Sequence, residues 1–216
     1  MTIAPEGYPF IIGGLVPGTL LTGLYPTHHL MSLLIIGLIL ILFGLGCAAF
    51  FRNPVRHIPQ DGSVLLSPAD GKVLGIHQVD DPIIGKANRI DIFLSVFDVH
   101  LNRIPSDGKV GFVTYRPGKF LVAFKDKASE ENERNDIGID TGHGQIRVAQ
   151  IAGSIARRIV CRVQENDPVA AGQLYGLIRF GSRVEITFPE TYASSVTVGQ
   201  RVKGGESIIA RLATHA

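Results

Sequence analysis

The hydrophobic pattern of the chain changes character once, near position 51. Residues 30–51 read LMSLLIIGLILILFGLGCAAFF, an apolar run of twenty-two positions without a charge, and a helix needs about 20 residues to cross the hydrocarbon layer of a membrane. A transmembrane helix is predicted here. Residues 9–25, PFIIGGLVPGTLLTGLY, are apolar too. Gly13, Gly14, Pro17 and Gly18 weaken a straight helix by propensity, so both a second span and a re-entrant segment fit this stretch. From Gly62 onward the period shortens. Runs rich in β-branched residues, separated by turn signals, follow one another: SVLLSPADGKVLGI, RIDIFLSVF, KVGFVTYRPG, QIRVAQIAGS, ARRIVCRV, SRVEITFPE and SIIARL. That spacing predicts a mostly β body, a barrel or sandwich with few helices. The expected organisation is a membrane anchor over residues 1–53, with one or two spans, and a β domain over residues 54–216.

Two glycine-broken segments, PADGKVLGI and the C-terminal SVTVGQRVKGGESIIARL, look alike and resemble the half-barrel repeats of biotinyl and lipoyl domains. The Met-Lys-Met hairpin on which those domains carry a cofactor does not occur. The likeness is therefore one of scaffold. Residues 127–134, KASEENER, form the one strongly polar stretch and are expected as a helix or exposed loop with solvated charges.

Charge sharpens the division. All 21 Lys and Arg follow position 51, and Glu6 is the one charge before it, the His28-His29 pair aside; the remainder sets 21 basic against 18 acidic residues, a net +3. The mean hydropathy of +0.24, high for a soluble protein, thus comes from the head. Arg52 and Arg56 stand directly after the apolar run, and by the positive-inside rule they put the body on the cytoplasmic side of the cell (inner) membrane. No basic segment precedes the first apolar stretch, so a cleaved signal peptide is not expected. Cys47 and Cys161 fall in different environments without CxxC or His spacing, which favours neither a disulfide nor a zinc site. No nucleic-acid partner is expected.

The segment AQIAGSIARRIV sets Gly153-Ser154 between strand-like residues. A glycine carbonyl is the least hindered acyl group that a following serine hydroxyl can attack. In a strained turn Ser154 Oγ adds to the Gly153 carbonyl carbon and moves the acyl group from nitrogen to oxygen. Loss of the Ser154 α-proton then expels the ester as a carboxylate and leaves dehydroalanine, which hydrolyses to a pyruvoyl group with release of ammonia. Two chains result, residues 1–153 and 154–216. Taken alone, Gly-Ser reads as an ordinary β-turn. Its context adds Asp70 in SPADGKV and His100 in FDVHLNRIPSDG, each at the end of a strand-like run. Aspartate, histidine and serine from three strands are the parts of a hydroxyl-activating triad.

SPADGKV, FDVHLNRIP, GKFLVAFKDKASEENERN and IAGSIARRIV, in this order behind a head ending in FFRNP, resemble the short bacterial and archaeal form of phosphatidylserine decarboxylase over nearly the whole chain. The resemblance implies self-cleavage at Gly153-Ser154, a pyruvoyl cofactor made from Ser154, and Asp70 and His100 in the active site. It implies that the pyruvoyl carbonyl forms a Schiff base with the amine of phosphatidylserine, that carbon dioxide leaves, and that His100 protonates the resulting carbanion to give phosphatidylethanolamine. No metal and no pyridoxal phosphate are implied. The partners are the phospholipid, the membrane, and the two self-cleavage chains held as a heterodimer open to further oligomerisation. Arg157 or Arg158 is expected to meet the substrate carboxylate or phosphate, only one of the two facing the cleft of a strand; contact with anionic lipid or solvent fits them equally.

Two departures from the larger decarboxylases stand out. Ile155 follows Ser154 where they have threonine, and Arg103 stands three residues after His100 where they have a second histidine. Which step His100 serves is open on this ground. His28, His29, His57, His77, His143 and His215 are expected at surfaces, turns or the membrane edge. Alternatives are a decarboxylase of a serine ether lipid or of a soluble amino acid, and a non-enzymatic membrane-tethered half-barrel adaptor in which Gly153-Ser154 is only a turn.

Overall fold

The computed structural model describes residues 1–118, 132–153, 158–179 and 182–213. They divide into two compact units, Met1–Val55 and Arg56–Ala216.

In the first unit α1 (Tyr8–His28) and α2 (Met31–Phe50) form a hairpin, with β1 (Thr2–Ile3) paired antiparallel to β2 (Arg52–Asn53) at its base. Both helices are long and apolar enough to cross a membrane. Of the two expectations for residues 9–25, the structure thus has a continuous helix. Pro17 sits inside it, and threonines return hydrogen bonds to backbone carbonyls in the turns that follow: Thr19 Oγ1 donates to Leu15 O at 2.8 Å and Thr22 Oγ1 to Gly18 O at 2.8 Å. Such internal satisfaction is what a helix in hydrocarbon needs. The glycines that lower helix propensity in water serve here as contact points. A Cβ on Gly14 would stand 2.8 Å from Gly44 Cα, and one on Gly18 would stand 2.9 Å from the Gly37 carbonyl oxygen. Small residues at such positions let two membrane helices approach closely.

The second unit is built of antiparallel strands, as the alternating pattern predicts. They are β3 (Val64–Leu66), β4 (Gly71–Asp81), β5 (Gly85–Leu94), β6 (Leu101–Arg103), β7 (Gly108–Arg116), β8 (Arg134–Thr141) and β9 (Gly144–Ala152). After these come β10 (Ile159–Cys161), β11 (Pro168–Val169), β12 (Leu174–Ile178), β13 (Ser182–Pro189), β14 (Tyr192–Ser194), β15 (Arg201–Val202) and β16 (Ile208–Leu212). Among the described residues, eight strands form a curled half-barrel sheet in the order β11-β7-β8-β9-β13-β5-β4-β15. Two three-stranded sheets, β10-β12-β6 and β14-β16-β3, accompany it. The two look-alike glycine segments meet in the large sheet, where Lys72 pairs with Arg201.

Period-two alternation gives that sheet two faces. One carries Ile90, Ile92, Ile137, Ile139, Ile146, Val148, Val184 and Ile186, all fully buried; burial of each such side chain stabilises the fold by roughly 1.5–3 kcal/mol. The other face bears charges that pair along and across strands. Arg134 Nη1 lies 3.0 Å from Glu185 Oε2 and its Nε 2.8 Å from Asp136 Oδ2, while Arg183 bonds Asp91. His77 is exposed, as expected, but it lies within β4 rather than in a turn, with its Nε2 3.0 Å from Asp91 Oδ2. Arg134 is buried, where solvated charges are expected for residues 127–134; residues 127–131 lie outside the described residues. Burial pushes the Asp91 carboxyl up, with Glu185 adding to it, against Arg183, Arg89 and His77. Burial also opposes ionisation of Asp136, but its hydrogen bonds from Arg134 and Arg116 and the nearby Arg147 hold it below the usual carboxylate range.

Candidate active site

The segment containing Gly153 and Ser154 joins β9 to β10, and both of its ends are tied down. At the upstream end Ala152 pairs with Ser182 of β13. Its N–H donates to the Glu133 carbonyl at 2.9 Å, and its carbonyl accepts from Asn132 Nδ2 at 2.6 Å. Gly153 is buried. At the downstream end Ile159 pairs with Ile178 of β12, and the Arg158 carbonyl accepts from the Arg179 N–H at 3.3 Å. The Arg158 side chain is exposed; Ser154 and Arg157 lie outside the described residues.

His100 immediately precedes β6, the third strand of this small sheet. Its carbonyl accepts from the Ile178 N–H at 3.2 Å, so His100 and Ile159 flank the same residue of β12. The structure therefore brings His100 and the downstream end of the Gly153-Ser154 segment together. The imidazole is buried, and its Nδ1 lies 3.0 Å from the Asp98 carbonyl oxygen. A carbonyl oxygen can only accept, so Nδ1 carries the hydrogen in this contact, and Nε2 is the ring nitrogen whose protonation can change without breaking it. Asp98 is itself fixed by its side chain. Its Oδ2 accepts from the Ser95 N–H at 2.8 Å and from Ser95 Oγ at 2.7 Å, while Oδ1 pairs with Arg201.

A chain of buried amides clamps both arms of the cleavage segment. Asn135 Nδ2 donates to Gln150 Oε1 at 3.1 Å, and Gln150 Nε2 donates to Asn102 Oδ1 at 2.8 Å and to the Val160 carbonyl at 3.3 Å. One glutamine thus ties β9 to β8, β6 and β10. Gly176 of β12 makes room for it: a Cβ there would overlap the Val160 carbonyl oxygen and stand 2.8 Å from Gln150 Nε2. Gly176→Ala is expected to lower stability by roughly 1–3 kcal/mol, the usual range for overpacking. A thermal melt of the purified full-length chain checks this, with Gly142→Ala, whose added methyl meets nothing within 4 Å, as the neutral control.

Asp70, in the loop between β3 and β4, has a different set of partners. Its two carboxylate oxygens accept from Arg56 Nη2 at 2.9 and 2.8 Å, and Oδ1 also accepts from the Gly204 N–H at 2.8 Å. Arg56 Nη1 lies 3.7 Å from Glu206 Oε2. Arg103 donates from Nη1 to the Gly172 carbonyl at 2.8 Å. Burial and then the charge of Arg56 lower the pKa of Arg103, opposed by Asp70 and Glu206. Gly205, at φ +77°, passes close to it: a Cβ there would stand 2.7 Å from Arg103 Cδ. The arginine that replaces a second histidine therefore belongs to a two-arginine, two-carboxylate cluster around Asp70.

Asp98, Asn132 and Gln150 take part in this site without having been singled out from sequence, and Arg56, read from sequence only as a charge flanking the apolar run, joins them. Gln150 alone carried a signal, since it falls in phase with Ile146, Val148 and Ala152 on the inward face of β9. Among the described residues, no group of three or more His, Cys, Asp or Glu is arranged to hold a metal ion, and both cysteines are free thiols.

Residues 43–210 match the family model for phosphatidylserine decarboxylase. The phosphatidylserine decarboxylase proenzyme of Nitratidesulfovibrio vulgaris is 44% identical over 213 residues, covering 98% of this chain and 95% of that protein.

Proposed function

The chain belongs to the phosphatidylserine decarboxylase family, and from that premise we propose that it is a membrane-anchored proenzyme. It cleaves itself between Gly153 and Ser154, converts Ser154 into a pyruvoyl group, and decarboxylates phosphatidylserine to phosphatidylethanolamine. The observation that carries this reading is that the pinned start of β10 and His100 flank one residue of β12 in the small sheet, while the pinned end of β9, in the large sheet, leads into the same cleavage segment. The residues present suit a group formed from serine at this point. The bonds to Ala152 restrain the acyl side of the scissile bond, and a histidine with a set tautomer stands beside the return strand. The pyruvoyl group supplies an electron sink for the bond to the departing carboxylate. His100 keeps its Nδ1 hydrogen on the Asp98 carbonyl, and Nε2, after taking a proton from solvent, gives that proton to the substrate carbon that loses carbon dioxide.

Cleavage leaves the two products interleaved. β13, from the downstream chain, lies between β9 and β5 of the upstream chain, and β12 pairs with β6 of the upstream chain. The chains therefore remain together as a heterodimer and separate only on denaturation. Arg52 and Arg56 at the end of the apolar hairpin favour a body on the cytoplasmic side of the cell membrane. Arg158, exposed at the start of β10, is available to a lipid phosphate or carboxylate, as is Arg157 by its place in the sequence.

Asp70 acts as a positioning residue in this reading, holding Arg56 beside Arg103, the last residue of the strand that follows His100. Asp70→Asn leaves the largely buried Arg56 side chain and the half-buried Arg103 with Glu206 as the remaining carboxylate of the cluster, and breaking a buried pair costs up to about 3–5 kcal/mol. The expected result is a lower melting temperature together with slower maturation. Unchanged stability with abolished cleavage would instead assign Asp70 to the chemistry.

Intact-mass spectrometry and released carbon dioxide test the whole proposal. The purified protein should give two chains whose summed mass equals that of the precursor plus one water and minus one ammonia, and should release labelled carbon dioxide from carboxyl-labelled phosphatidylserine. A single unmodified chain, or activity confined to free serine, overturns it. Ether-linked serine lipid, assayed in parallel, distinguishes the two lipid classes.

A further inference from the structure

The turn that orients His100 also projects the most exposed large apolar side chain among the described residues of the β unit. Ser95 and Asp98 close it: the Asp98 N–H donates to the Ser95 carbonyl at 2.9 Å, and the Asp98 carboxylate accepts from Ser95. Those bonds do not require apolar residues between them, yet Val96 is 44% exposed and Phe97 83% exposed. A second apolar tip stands beside this one. Val198 is 62% exposed in a turn fixed to β4 by Gly199 N–H to Val73 O and Val73 N–H to Gln200 O, both 2.9 Å.

The two tips belong to one patch. Arg201 follows the second turn, pairs in register with Lys72 and makes an ion pair with Asp98 of the first. Lys72 and Arg201 are exposed, and Asp98 compensates one of their two charges. An aromatic and two valines at turn tips, rimmed by cations and set three residues before His100, match the interface of a bilayer. Aromatic rings settle at headgroup level, and basic side chains meet lipid phosphates.

We propose that the Ser95–Asp98 turn, with Val198 beside it, is a lipid-inserting finger that seats Val96 and Phe97 beneath the headgroups and so holds the His100 site at the depth of the serine headgroup. This rests on the decarboxylase reading for its substrate, while its occupant is a lipid surface whatever the reaction. The same turn that enters the bilayer presents the Asp98 carbonyl to His100 Nδ1.

The chain contains no tryptophan, which permits a direct test on the full-length protein in phospholipid nanodiscs. F97W introduces a lone indole at the tip. I83W places one in the β4–β5 hairpin at the opposite end of β5, whose ten residues span roughly 33 Å. Lipids brominated on their acyl chains should quench F97W and leave I83W bright, whereas aqueous iodide should quench I83W and spare F97W. Quenching of F97W by iodide alone overturns the proposal, as does protection from both quenchers with a doubled particle mass, the signature of a contact between two copies. Replacing Phe97 by aspartate should also lower the ratio of kcat/KM on bilayer phosphatidylserine to that on dispersed short-chain phosphatidylserine by roughly 10- to 100-fold. An unchanged ratio counts against the finger. The quenching measurement needs no turnover, so a chain that inserts its finger yet releases no carbon dioxide would sink the proposed reaction and leave this surface standing.

Discussion

Ser154→Ala is expected to yield a single intact chain with no decarboxylase activity. The substitution removes one oxygen atom, the one that must add to the Gly153 carbonyl, and no other group on an alanine can accept the acyl chain. The β9 end keeps its bonds to Glu133, Asn132 and Ser182, and the β10 start keeps its pairing with Ile178. The variant should therefore melt close to the parent while showing one band on a denaturing gel. The parent is expected to show two, the smaller blocked to N-terminal sequencing because a pyruvoyl group has no free amine. If the alanine variant were still cut, the serine-ester route would be wrong and an external protease would have to be sought.

How much of this was legible in the sequence differs between levels. The apolar helical head and the β body follow from local pattern, since an apolar run of twenty-two residues and period-two alternation need no tertiary information. The character of residues 9–25 did not follow. Helix propensities measured in water count Gly14, Gly18 and Pro17 against a helix, whereas close helix packing uses the two glycines and nearby threonines return bonds to the backbone. The charged face of the half-barrel was misleading in another way. Alternation correctly sends Arg134, Asp136, Arg183 and Glu185 away from the apolar core. It does not say that ion pairs along and across the strands bury them.

At the site, chemistry was legible in residue type and geometry was not. His100 and Gly153 stand in recognisable blocks, but the partner of His100 Nδ1 is a backbone carbonyl two residues away, which no motif encodes. Asp70 shows the limit most clearly. As part of an aspartate, histidine and serine set it suggests a hydrogen-bonded triad, yet its oxygens are taken by Arg56 and Gly204. These partners lie fourteen positions before it and on the distant KGGES turn. The pairing of Asp70 with Arg56 becomes intelligible together with Arg103. Where a second histidine would be neutral or singly charged, an arginine brings a permanent buried cation, and the carboxylates of Asp70 and Glu206 offset it.

His100→Asn should separate the orientation of this site from its chemistry. The asparagine amide nitrogen can occupy nearly the position of Nδ1 and continue to donate to the Asp98 carbonyl, but it offers nothing at the place of Nε2. Stability should stay near that of the parent, whereas His100→Ala also strands the Asp98 carbonyl and melts lower. Loss of a positioned general acid or base typically slows a reaction by about 10²–10⁴-fold. Steady-state release of carbon dioxide should fall by that factor in both variants. Self-cleavage happens once per molecule, so even a slowing of that size still permits mature chains to accumulate over hours of expression, later than in the parent. Mature but inactive protein is thus the expected phenotype, read by comparing precursor disappearance with carbon dioxide release in the same preparation. Full decarboxylase activity in His100→Asn would remove Nε2 from the mechanism and return attention to the Arg103 cluster as the source of the proton.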